Sequence, residues 1–254
     1  MRIIITKSKY RASAHFWQAV ENYNKNKYGL AGFDIPQHIF DSIHSLPKKM
    51  PLYKDLPESQ KKIVRDIYEA FDSLWKKYQK DINRVLKKLK TTDFKRNWLK
   101  KGIPKTTGIE WPFKEIYIFP GTINWARVSE NQLCVGIRPK HALKKDNLIP
   151  LLIHELIHIN TWNIWEGKPK KQLSYKKDSI EIATVLLTNK IVQQMNTVFN
   201  MHLNNQEFAT PFADLEKQFL PQFENILNQS KSYQDLIFNI DQFLKKIKHK
   251  PYYS

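Results

Sequence analysis

Two histidines and a glutamate stand inside the segment LLIHELIHIN (151–160), whose other members are almost all leucine and isoleucine. Read as a helix, every face of that segment calls for burial, and a buried imidazole or carboxylate without a partner costs several kcal/mol. His154 and His158 are four residues apart, so both rings stack on one helix face. That spacing suits two nitrogen ligands on one zinc ion, and Glu155 lies about 100° round the helix, within reach of a metal-bound water. One ion and its water would satisfy all three side chains.

Two helix ligands hold zinc poorly, so a third is expected downstream. A continuation of the form HExxHxxGxxH is absent: Thr161 stands where glycine would be and Ile164 where histidine would be. The favoured third ligand is Glu181, set among Ile180, Ile182, Ala183, Val185, Leu186 and Leu187, where an acid poses the same problem as the histidines. Asp178, Glu166 and His202 are the alternates. A second donor toward a developing oxyanion is also wanted. Tyr175, His202, Arg138 and His141 are available, and Tyr175 is the one retained. Trp162 and Trp165 are candidates to line a substrate pocket.

HELIH followed by a glutamate about two dozen residues later resembles the gluzincin branch of the zincin metallopeptidases, over roughly residues 115 to 195. The resemblance implies His154, His158 and Glu181 as zinc ligands, Glu155 as general base and a zinc-activated water that hydrolyses a peptide bond. It further implies a small twisted sheet over the active-site helix, with an edge strand that pairs with an extended peptide; Leu133 to Arg138 is the matching strand. The longer Asn-Glu-x-x-Ser-Asp form of the third-ligand motif is absent around Glu181. A catalytically inactive zincin fold that binds rather than cuts is the alternative, as is a nucleic-acid-associated basic protein.

The elements that must position these residues are read from periodicity. Arg2 to Thr6 is expected as a short strand, and Ser13 as the cap of a short helix bearing Phe16, Val20 and Tyr23. Four prolines break the stretch Ile35 to Glu58 into a connecting or lid-like region. Apolar residues at 63, 67, 71, 74, 78, 82, 85 and 89 predict one continuous scaffold helix from Ser59 to Leu89. EIYIFPG (115–121) and QLCVGIRP (132–139) read as strands, with INWARVS between them as a third strand of a small meander. Asp146 or Asn147 is expected to cap the helix carrying the histidines, with Pro150 in its first turn. Helical period then returns over Asp178 to Phe199, Phe212 to Leu227 and Tyr233 to Ile247. The expected fold is α+β and zincin-like, a single helix-dominated domain over 1–254 with additional C-terminal helices.

Composition bounds the rest. At 254 residues with 41% hydrophobic content the chain can bury one sizeable core. Cys134 is the only cysteine, so no intramolecular disulfide is possible. The short Ile3–Ile5 run is too brief for a signal peptide, and no stretch approaches the roughly 20 apolar residues of a membrane span. The expectation is a cytoplasmic protein acting on a peptide or protein substrate, with no membrane span and an oligomeric state the sequence leaves open. The net charge of +18 rests on 35 lysines and seven arginines. Arginine is the residue that forks phosphates and guanine, so nucleic acid is a less favoured partner.

Overall fold

The computed structural model describes residues 1–22, 30, 33–47, 52–91, 96–124, 126–137, 148–167, 173–206 and 212–251. Within them the chain forms β1 (Arg2–Ile5), α1 (Lys9–Glu21), α2 (Gln37–Ile43), a 3-10 turn (Tyr53–Asp55), α3 (Glu58–Lys77), α4 (Gln79–Thr91) and α5 (Arg96–Thr107). There follow β2 (Glu115–Gly121), β3 (Arg127–Ser129), β4 (Gln132–Gly136), α6 (Leu148–Asn160), α7 (Trp162–Glu166), α8 (Lys176–Phe199), α9 (Ala213–Gln229) and α10 (Tyr233–Lys246). The architecture is α+β and helix-dominated, with a small mixed sheet. No helix among the described residues is long and apolar enough to cross a membrane.

Strand order is β1-β2-β4-β3. β1, β2 and β4 run parallel, and β3 pairs antiparallel with β4. Alternate residues of β2 serve opposite faces. Tyr117, Phe119 and Gly121 meet α1: the Arg11 guanidinium lies 3.7 Å over the Tyr117 ring, and His15 is edge-on to Phe119 at 5.4 Å. Ile116 and Ile118 fill the other face and are buried, so both faces of β2 are covered, as a largely parallel sheet requires. The Arg2 side chain pairs with Glu115 across the β1–β2 register.

Four readings are corrected. The apolar stripe over 59–89 belongs to two helices: α3 ends at a C-cap residue, Tyr78, whose φ of −101° and ψ of 19° leave the helical region. The stripe passes through Tyr78 without losing phase, so periodicity alone could not show the break. α1 is capped by Ser8, which accepts from the Arg11 N–H, whereas Ser13 sits mid-helix and donates to the Tyr10 carbonyl. β2, β3 and β4 do not form a meander, because β4 inserts between β2 and β3. For the same reason the strand beginning at Leu133 is interior, and the outermost strand on that side is β3. Asp146, Asn147, Arg138 and His141 lie outside the described residues, as do 48–51 of the proline-rich region.

α6 packs on β3 and β4 and is flanked by α5 and α8. Its sequence explains its place: Leu148, Ile149, Leu152, Ile153, Leu156, Ile157 and Ile159 are all buried, leaving Leu151 and Glu155 only partly exposed. Asn160 fastens its C-terminal end. Thr107 donates to Asn160 Oδ1 at 2.6 Å, and Asn160 Nδ2 donates to the Ile109 carbonyl at 2.8 Å. α8 lies against α6 and α10. Segment 200–206 is pinned back along α8 by Asn196, which exchanges two bonds with Leu203, and by Asn189, which exchanges two with Gln206.

Candidate metal centre

The i, i+4 spacing on α6 brings His154 Nε2 and His158 Nε2 to 3.0 Å, with the rings at 74°. From α8, Glu181 presents Oε2 at 3.5 Å from each of these nitrogens. Three atoms so spaced lie on a circle of about 1.9 Å radius. Zinc bonds to imidazole and carboxylate are about 2.0–2.2 Å, so one ion fits at bonding distance from all three. The His154 and His158 side chains are only 11% and 10% exposed, and Glu181 18%. His154 Nδ1 is buried with no hydrogen-bond partner among the described residues. Two nitrogens and one carboxylate oxygen are thus gathered at one point of an apolar interior, and the cluster could hold a metal ion.

Electrostatics separate the two carboxylates. Desolvation pushes Glu155 up to about 7, His154 opposing and the Glu181 charge adding to the rise. Desolvation would also raise Glu181, but the charge of His158 and hydrogen bonding to both histidines outweigh it and hold Glu181 below the usual carboxylate range. Glu155 therefore shares the electrostatic neighbourhood of the cluster.

The alternates to Glu181 are placed elsewhere. Asp178 is 1% exposed and pairs with His249 at 2.9 Å. Glu166 is exposed on α7. His202 is exposed on the segment that Asn196 anchors, 15 residues beyond Glu181, which is about 22 Å along α8. Tyr175 stands at the N-cap of α8, its N–H donating to Asp241 Oδ1 at 2.6 Å and its ring 5.6 Å from that of His249. None of these contacts reaches the cluster. Trp162 is half-buried on α7, and the Trp165 side chain lies outside the described residues.

One neighbour escaped sequence reasoning. Tyr233, at the start of α10, is 3% exposed, and its phenol lies against Thr184 and Thr161 without a well-formed hydrogen bond to either. Burial pushes it up to about 12, with the two threonines opposing and the Glu181 charge adding. Thr184 and Thr161 each lie three residues past a cluster residue, Glu181 and His158, so Tyr233 backs the site. In the sequence it reads as the first apolar residue of a helix stripe, with nothing to single it out. A separate surface cavity of about 840 Å³ lies between α1 and α3, lined by Trp17, Leu56, Val64 and Tyr68 but by no residue of the cluster.

Comparison with known proteins gives no likeness to lean on: no family model matches the chain, nor does any curated protein or solved structure.

Proposed function

We propose that this protein is a zinc metallopeptidase of zincin type, hydrolysing peptide bonds at the His154, His158 and Glu181 cluster. The observation that carries the reading is the set of donor separations, 3.0, 3.5 and 3.5 Å, beside a glutamate whose pKa is lifted toward neutrality. A cluster serving structure alone has no need of that glutamate.

His154, His158 and Glu181 would hold the ion. The chemistry it would supply is Lewis acidity, which polarises a carbonyl and lowers the pKa of water. Glu155 takes the proton of the attacking water on its carboxylate and returns it to the leaving nitrogen, so one group serves as base and then acid. The apolar shell of α6 keeps bulk water from competing for these groups. Among the described residues β3 is the outermost strand and lies against α6, so its outer edge can accept an extended peptide by strand addition, the role expected of the strand at Leu133.

The test is zinc content per chain, by elemental analysis of protein purified without added metal. About one zinc in the wild type and a marked loss in His154→Ala and Glu181→Ala support the site. No zinc after reconstitution would overturn it. Hydrolysis of a quenched-fluorescent peptide library by the zinc-loaded chain would then support the peptidase reading, and a loaded chain without turnover would favour a binding role.

A further inference from the structure

We infer that Asp178 and His249 form a positioning pair that sets the axial placement of α8, and through it the position of Glu181 at the metal centre. The inference rests on the proposed metal reading.

α8 begins without a side-chain cap, since Tyr175 at the N-cap makes none. Its start is gripped from outside instead. Asp241 of α10, fully buried and ion-paired with Lys245 at 3.2 Å, accepts the Tyr175 N–H. Beyond α10 the chain turns back through Lys248, at a φ of 54°, and the His249 N–H bonds the Leu244 carbonyl at 2.9 Å. That turn aims the imidazole at α8. His249 Nε2 stands 2.9 Å from Asp178 Oδ2, a spacing that places a proton between them, and the ring is walled by Tyr175 at 5.6 Å and Phe212 at 6.5 Å.

Asp178 precedes Glu181 by three residues, which is about 4.5 Å along the axis and one turn away on nearly the same face. Apolar contacts between α8 and α6 are non-directional and tolerate small slides of one helix along the other. A metal ligand does not, because bonding distances hold to about 0.2 Å. The buried pair is directional and sits next to the ligand it would align. A buried carboxylate is a poor way to gain stability alone, since an apolar pair of similar volume usually does as well or better.

The experiment is the zinc affinity of the full chain, by competition with a chromophoric chelator at neutral pH. His249→Ala is expected to weaken binding about tenfold, the lower end for groups outside the ligand set. His249→Gln, whose amide nitrogen reaches the Nε2 position, should recover most of that loss. Leu89→Ala, in the core contact of α4, should lower the melting temperature and leave affinity unchanged, separating positioning from stability. If His249→Ala does not fold, Asp178→Ala, which removes the acceptor from the other side, replaces it with the same loss expected. Wild-type zinc binding with His249→Ala, or the Asp178 variant in its place, within about twofold of it overturns this inference alone, whereas a wild type that takes up no zinc overturns the metal site itself and the inference with it.

Discussion

Glu181 belongs to the cluster and Glu155 neighbours it on α6, and their surroundings push them in opposite directions, Glu155 toward neutrality and Glu181 below the usual carboxylate range. The split agrees with the proposed roles, in which the depressed group is a ligand and the raised group transfers a proton. On the proposed peptidase reading, Glu155→Gln is expected to bind zinc as the wild type does and to lose hydrolysis by about a hundredfold or more. Unchanged turnover in that variant would refute the proton-transfer role. His15 offers a second test away from the site. Burial, helped by the charge of Arg127, lowers its pKa from 6.5 to about 4. The unfolded chain then binds the extra proton first, so the stability held above pH 6.5 is lost as pH falls toward 4, by about 2 kcal/mol between pH 7 and pH 5. Glu155, raised toward 7, gains a comparable amount over the same interval, so the readout is a difference: in urea melts His15→Leu should gain about 2 kcal/mol on the wild type as pH falls from 7 to 5, and an unchanged gap would clear His15 of the effect. At this scale the cluster was legible because each member is a polar residue stranded in an apolar run. The Asp178–His249 pair was not, because its members are 71 residues apart and each looks ordinary among its neighbours.

Two glycines set how closely the strand elements approach. A Cβ on Gly121 of β2 would meet Cys134 Sγ at 2.3 Å, and one on Gly136 of β4 would meet the Ile123 carbonyl oxygen at 2.4 Å. Both substitutions overpack a buried face, at about 1–3 kcal/mol. The first obstacle is a side chain and the second is backbone. Chemical denaturation should therefore show Gly121→Ala partly rescued by Cys134→Ala, while Gly136→Ala stays costly beside the same change. An additive double variant at 121 and 134 would count against the contact. Strand and helix spans were largely readable from local pattern, and β2 runs over the stretch expected of it. Strand order was not, because β3 is three residues long and finds its place only by antiparallel pairing with a partner that follows it in sequence.

For the molecule as a whole, the net charge of +18 works against compactness. Ion pairs such as Lys9–Asp72 at 2.8 Å and Arg84–Asp81 at 2.9 Å are exposed and contribute little. Screening should help more than it harms, so the melting temperature is expected to rise by a few degrees between low salt and 0.5 M sodium chloride. A fall would mean that the surface pairs outweigh the repulsion. The sheet carries a different consequence, for synthesis. β1 pairs with β2 across 113 residues, so on a ribosome adding about 5–20 residues each second the first strand waits on the order of ten seconds for its partner. During that wait its three isoleucines await a partner strand, and chaperone occupancy of the nascent β1 segment should end only after Ile118 has emerged.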